Sequence, residues 1–588
     1  MKNYIFLTVF VSLLFLLPSC DRQLEYCESG PDTMKDSGQT ERKTTNPYSL
    51  RVMQAALDSL MATRNDLEEN SFELEATDYY VRINPFDTTA IASIGTLDLE
   101  LFDYPLDSEF EDDTEYCFNP DNPSEIESDW YYTAVPVEYV SEEIPYEDVL
   151  EAEDNGSYIE IEIETGSQGS DDGNDNGNEG EEEGDGSITC ELIDECYVPE
   201  HDDGTRSGRR LPVSAAELEA MAYKIAGVKP DNSLTKASKA YPSGYVRVKN
   251  GSEVLPVKGV KVRAQKFIKW RTAYTDVNGR FFIPEKFSKP NVSVVYSNVK
   301  DFTLWGNYAF LAAATFTVNN CTTFDSFCKE FNRESNYAPW SWSVINNAAY
   351  DYYSSCAGPG LLCGVATPPA KMKLWCMNMG MKSVGGSAPM MKHLITSRVL
   401  SGSGAVLSFL TSINWVIGLT VIIAAAINVM GPDILIVTHN KTYDDLYAVT
   451  FHELSHASHF TSIGEWNYGK LIWYEMTHGN NKHLYGVGGT GSEGEGYCEV
   501  SETYAFSIEN FVRHRLLGVF NPERGQTSYY FFADYVKVLS RILIDGTLSP
   551  AEVFSCLTQD IKSMDSLLEC LCNRYPSKAS TIQKIMSE

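Results

Sequence analysis

The pattern of apolar and polar positions changes character along the chain. From Leu50 to Leu60 apolar residues recur at helical spacing, whereas Tyr79 to Ile83 and Thr96 to Phe102 alternate, predicting one helix followed by strands. Tyr104-Pro105 and Asn119-Pro120 mark turns. Period-2 runs return at Tyr245 to Val248, Val260 to Ala264 and Phe281 to Ile283, separated by Asn250-Gly251 and Asn278-Gly279, two dipeptides that favour hairpins. They predict a compact antiparallel β-sandwich. Gly431 to Val437 reads as an apolar strand leading into a helix on which Leu446, Val449, Leu454 and Ala457 share a face. Upstream lies Val399 to Pro432, a stretch without a charge. Its strongly apolar part, Trp415 to Ile427, is shorter than the ~18 residues a membrane span requires, so a buried helix or helix pair is expected.

Charge divides the chain more sharply than hydropathy does. The net of −36 over 588 residues is concentrated in residues 21–210, where 52 acidic and 10 basic side chains give −42. Such a segment repels phosphates, and the remainder has no dense basic stripe, so no nucleic-acid partner is expected. Gly166 to Ser187 is almost free of apolar residues and cannot offset its ordering entropy by burial, which predicts a disordered linker. At ~150 residues per domain the length suggests about four domains.

The first twenty residues combine Lys2, an apolar run from Tyr4 to Leu17 and the ending Leu17-Pro18-Ser19-Cys20, the pattern of a secretion signal. The ending resembles a bacterial lipoprotein lipobox, which implies lipidation at Cys20 and an envelope protein held to a membrane, outer membrane or cell surface, by its lipid anchor. In an exported protein, Cys190/Cys196, Cys321/Cys328 and Cys356/Cys363 are close enough in sequence to pair, without the connectivity being readable. The region from 46 to 163 is similar by pattern to the N-terminal domain of some Bacteroidetes surface lipoproteins, a likeness that brings no chemistry. The segments Gly244-Tyr-Val-Arg-Val, Val257-Lys-Gly-Val-Lys-Val and Thr275-Asp-Val-Asn-Gly-Arg-Phe resemble the carboxypeptidase regulatory-like domain, an accessory sandwich without catalytic residues.

The chemistry concentrates in Thr450-Phe-His452-Glu453-Leu-Ser-His456-Ala-Ser-His459-Phe. On a helix, His452 and His456 stand one turn apart on one face and can share one zinc ion. Glu453 is rotated ~100° away, where it can take a proton from water as general base instead of ligating. A catalytic zinc needs a third protein ligand. His459 stays near the same face without the reach to complete a tetrahedron. The acidic helix Tyr497 to Glu509 offers Glu499, Glu502 and Glu509 near one face, and Glu495 precedes it.

Glu502, followed by Ala505 and 46 residues past His456, resembles the acidic helix of gluzincin-type zinc metallopeptidases. That resemblance implies Glu502 as third ligand, with Glu495 and Glu499 as alternatives. It also implies that the strand before the motif is an edge strand pairing with substrate, that Glu465 to Glu495 is a loop over the cleft, and that Tyr497, His483 or His478 faces the oxyanion. The expected division is a signal (1–20), a tether (21–45), an acidic α+β domain (46–163), an acidic disordered linker (164–210), a helical connector (211–240), the β-sandwich (241–315) and an α+β zincin-like catalytic domain (316–588). The expected function is a zinc-dependent endopeptidase acting on a polypeptide, with one zinc per chain. The rival is a non-catalytic adhesion lipoprotein on a peptidase scaffold.

Overall fold

The computed structural model describes residues 42–43, 46–64, 72–83, 99–102, 104–109, 115–117, 131–137, 159–161, 188–196, 213–228, 239–306, 313–378, 386–390, 393, 433–479, 483, 485–518 and 530–588. The signal with Cys20, most of the tether, Gly166 to Ser187 and Val399 to Pro432 lie outside them. Among the described residues no helix is long and apolar enough to cross a membrane. The protein is multidomain and mixed α/β, with several sheets.

The N-terminal part contains β1 (Arg42–Lys43), α1 (Leu50–Ala62), β2 (Asp78–Ile83), β3 (Ser108–Glu109), β4 (Glu115–Cys117), β5 (Tyr131–Pro136), β6 (Ile159–Ile161), β7 (Ile188–Cys196) and α2 (Ala215–Ile225). Ser49 caps α1 and Ser214 caps α2 through a reciprocal box with Glu217, satisfying amides that a helix start leaves open. β5, β2, β7 and β6 form a four-stranded antiparallel sheet in that order. Residues 188–196 were expected within the disordered linker; they are instead an interior strand of this sheet. The composition argument is met by pairing, because a strand flanked on both sides satisfies its backbone whatever its charge.

Next come β8 (Ser243–Asn250), β9 (Glu253–Pro256), β10 (Val260–Lys266), β11 (Lys269–Tyr274), β12 (Arg280–Phe282), β13 (Asn291–Asn298), β14 (Phe302–Trp305), β15 (Thr315–Val318) and β16 (Phe327–Phe331). One layer is β12-β8-β16 with β9 on β8, and the other holds β11-β10-β13 with β15. Val246, Val248, Val262, Ala264, Phe281 and Val294 fill the space between, giving the expected two-layer packing. It departs from expectation twice. β16 joins β8 in parallel. Asn250-Gly251 closes the β8/β9 hairpin, but Asn278-Gly279 joins strands of different layers, with Asp276 accepting from the Asn278 and Arg280 amides. A third hairpin, β10/β11, turns on Phe267 at φ 52°, an unusual conformation for that residue. Phe267 and Ile268 at its tip are buried in the core of the N-terminal part with Tyr48, Met53, Leu57 and Phe102.

β14 carries the same sheet onward. It pairs in parallel with β17 (Met372–Met377), which pairs in parallel with β19 (Ile434–Val437), and β18 (Gly386–Ser387) closes this end antiparallel to β19. The sheet thus runs across the boundary expected at residues 315/316, and one apolar cluster extends from Val246 to Ile585. β17 and β19 are nearly continuous apolar runs because both faces are covered. Against the sheet lies α3 (Tyr337–Ala357), fixed by Tyr296, whose hydroxyl donates to the Pro339 carbonyl at 2.8 Å. The remaining helices are α4 (Tyr443–His478), α5 (Glu493–Arg515), α6 (Ala533–Ile544), α7 (Pro550–Phe554), α8 (Met564–Arg574) and α9 (Ala579–Ser587).

Two chain features position the site. β19 leads through Asn440, at φ 53°, to Thr442, whose hydroxyl accepts from the Asp445 amide and starts α4. Within α4, Gly464 at φ 78° and ψ 164° breaks the helix. An added Cβ at Gly464 would meet nothing within 4 Å, so glycine is required there by backbone conformation alone.

Candidate functional site

The first segment of α4 presents His452 and His456 toward α5, as the i, i+4 spacing dictates. Their Nε2 atoms lie 3.1 Å apart. Glu502 of α5 meets both: Oε1 is 3.2 Å from His456 Nε2 and Oε2 is 3.7 Å from His452 Nε2. Donors bonded tetrahedrally to zinc at 2.0–2.1 Å stand about 3.3 Å apart, so this trio fits the ion. The opposite ring nitrogens are held from behind. Ser501 Oγ is 2.9 Å from His456 Nδ1, and Glu509 Oε2 is 3.3 Å from His452 Nδ1. Arg513 then bridges Glu509 and Asp445, each at 3.1 Å. Outer partners of this kind orient the rings, whose Nε2 atoms face each other.

All four residues of the centre are nearly inaccessible: His452 4%, Glu453 2%, His456 5% and Glu502 4% exposed. Glu453 Oε2 and Glu502 Oε2 are buried without a hydrogen-bond partner, an arrangement that costs free energy unless a cation or donor supplies it. Burial would raise the Glu502 carboxyl, but His456 and His452 outweigh it and hold it low. His452 is the converse, since burial opposes its charge and Glu502 and Glu509 overcome that. The Glu453 carboxyl is pushed up to about 8 by burial, against the His452 charge. Glu453 can therefore hold and release a proton near neutral pH. His452, Glu453 and His456 together form a group able to hold a metal ion.

The centre opens into a small recess, partly open to solvent. One wall is β18, where an added Cβ on Gly386 would lie 2.5 Å from Glu453 Oε1. Only glycine lets this strand approach the carboxylate so closely. β18 is outermost in the sheet among the described residues, whereas β19, expected to be the edge, lies between β17 and β18. The short Gly-Ser strand carries no periodic signal that would mark it in the sequence.

The opposite wall comes from beyond the Gly464 break. Residues 465–478 were expected as part of a loop; they continue as helix and contribute Tyr468, Leu471, Ile472 and Glu475. A straight helix would carry Glu475 about 33 Å from Glu453, so the change of direction at Gly464 is what returns it. Tyr485, in the following loop, also lines the recess. Burial and the Glu502 charge both raise its hydroxyl's pKa, which keeps it a donor.

The other sequence candidates are engaged elsewhere. The Tyr497 hydroxyl donates to the Gln559 carbonyl at 2.5 Å. The His478 ring stacks on Tyr474 at 4.7 Å, and neither His478 nor His483 lines the recess. Glu499 accepts from the Met564 amide at 2.8 Å, and Glu495 accepts from the Gly491 amide at 2.8 Å. His459 is buried, held down to about 3 by burial and His456, and both its ring nitrogens have no hydrogen-bond partner. Of the expected cysteine pairs, Cys321 is not bridged to Cys328, nor Cys356 to Cys363. Glu509 was readable as a face-mate of Glu502, though its support of His452 was not. Glu475, Tyr485 and Gly386 had no local signal.

No family model, curated protein or solved structure matches this chain.

Proposed function

We propose that the protein is a zinc-dependent metallopeptidase with a zincin-like catalytic region, anchored in the cell envelope by lipid at Cys20. The observation that carries this reading is the convergence of His452 Nε2, His456 Nε2 and both Glu502 oxygens, with Glu453 on the same recess and a sheet edge beside it. His452, His456 and Glu502 would hold one zinc, which when bound polarises a peptide carbonyl and acidifies water. Glu453 takes the proton of the attacking water and delivers it to the leaving amide nitrogen. β18 pairs with the extended substrate backbone, giving affinity independent of side chains. The Tyr485 hydroxyl donates to the carbonyl oxygen as charge develops there.

Elemental analysis of the full chain tests the reading, together with cleavage of a mixed-sequence peptide library. The expected result is about one zinc per chain, lost in Glu502→Ala and kept in Glu453→Gln, with cleavage abolished in both. Wild-type protein that stays zinc-free after zinc loading, or cleavage unaffected in Glu453→Gln, would remove the peptidase reading. Incorporation of a labelled fatty acid, absent in Cys20→Ala, tests the anchor.

A further inference from the structure

We propose that Glu475 determines specificity in the recess by selecting peptides that place a cation beside the reacting bond, either a free N-terminal ammonium or a Lys or Arg side chain. This rests on the peptidase reading above. Glu475 is half-buried and lines the same recess as His452, Glu453, His456 and Glu502, although it lies beyond the Gly464 break. Among the described residues its side chain has one hydrogen bond, from Cys498 Sγ to Oε1 at 3.4 Å. A thiol is a weak donor and carries no compensating charge. Among the described residues, no Lys or Arg lines the recess.

A carboxylate in a confined, low-dielectric space is favoured most strongly by an opposite charge placed beside it. A second observation is independent of Glu475. Glu453 Oε2 and Glu502 Oε2 are buried in the same recess without a hydrogen-bond donor. Zinc would take Glu502 Oε2, which leaves Glu453 Oε2 as a buried acceptor that a donor on the ligand can meet. Leu471 and Ile472 flank Glu475 on its helix and suit the methylene stem of a long basic side chain.

The test uses the full chain carrying Glu453→Gln, loaded with zinc, so that peptides bind without turnover. Fluorescence anisotropy compares labelled peptides matched in pairs, lysine against norleucine at each position and a free against an acetylated N-terminus. The expected result is binding about tenfold or more tighter for one cationic member, as a charge-assisted hydrogen bond gives. The favoured pair tells ammonium from side chain. Adding Glu475→Gln, which keeps an acceptor for the Cys498 thiol, should bring that ratio to within about twofold and leave the neutral peptide's affinity unchanged. A measurement needing no change at Glu475 is competition by pentylamine against pentanol, where only the amine should displace peptide. Equal binding of cationic and neutral peptides, or a preference that survives Glu475→Gln, overturns the proposal and leaves the peptidase reading standing. Binding of no peptide at all overturns both.

Discussion

Two clusters of buried charge in this molecule are built from the same residue types and differ in how they end. Where the N-terminal part meets the sandwich, Glu219 accepts from Tyr48 and from Lys239 at 2.7 Å, with Lys269 at 3.5 Å, and Glu100 is paired with Lys261 and with Arg263 at 3.1 Å. Every carboxylate oxygen there has a partner from the protein. At the α4/α5 centre ion-pair contacts of 3.1 to 3.3 Å run from Asp445 through Arg513 and Glu509 to His452, yet Glu502 Oε2 and Glu453 Oε2 beyond them accept no hydrogen bond. Saturated charge networks hold segments together, whereas a network with buried, unmatched acceptors marks where a ligand belongs.

That contrast can be broken first at its unsaturated end. Glu502→Ala should remove the ion and lower peptide cleavage by roughly a thousandfold or more, since two histidines alone do not retain zinc tightly. A variant that keeps both zinc content and cleavage rate would show that Glu502 is only another structural carboxylate. Glu509→Gln should weaken zinc affinity by roughly tenfold to a hundredfold, the usual effect of losing an outer partner, without unfolding the chain. Competition with a zinc chelator reads this, and unchanged affinity would reduce the Glu509 contact to packing.

Gly386→Ala sharpens the comparison from the sheet side. The new methyl must displace Glu453, so cleavage should fall roughly tenfold to a hundredfold while zinc content stays at wild type. Full activity would mean that β18 can shift away at little cost. The smallest effect is expected at the saturated cluster. Burial acts to raise the Glu219 carboxyl, but Lys239 and Lys269 outweigh it, so its folded-state pKa is lowered. Its stabilisation is then present above the unfolded carboxylate value, about 4.3, and fades as pH falls through the lower folded value. The Tm of wild type should exceed that of Glu219→Gln near pH 7, by the equivalent of about 1–3 kcal/mol, and the gap should close below about pH 4. A gap constant with pH would show that the charge of Glu219 is not what holds the two segments.

Legibility followed the range of the interactions involved. Leu50 to Leu60, Tyr79 to Ile83 and the period-2 runs of the sandwich, apart from Ile283, fall within helices and strands of the structure because their patterns are local and repeat within a few residues. β7 was misread because composition described its side chains and not its place between β2 and β6. The expected division between sandwich and catalytic region does not appear in the sheet, since β14 pairs with strands of both and only register decides that.

At the centre, spacing alone put His452 and His456 on one helical face and turned Glu453 aside, because four residues make about one turn in any α-helix. Sequence could name Glu502 only by resemblance. The packing of α5 against α4 is what brings its carboxylate within 3.7 Å of both histidines and sets Glu509 behind His452. The recess itself belongs wholly to tertiary structure. Gly386, Tyr485 and Glu475 lie 67, 32 and 22 positions from Glu453 in the sequence, and they meet it only through a sheet edge, a loop and a broken helix. Local periodicity carries no information about where a chain returns, so the sequence determined the paired histidines on one helix, and the fold decided what surrounds them.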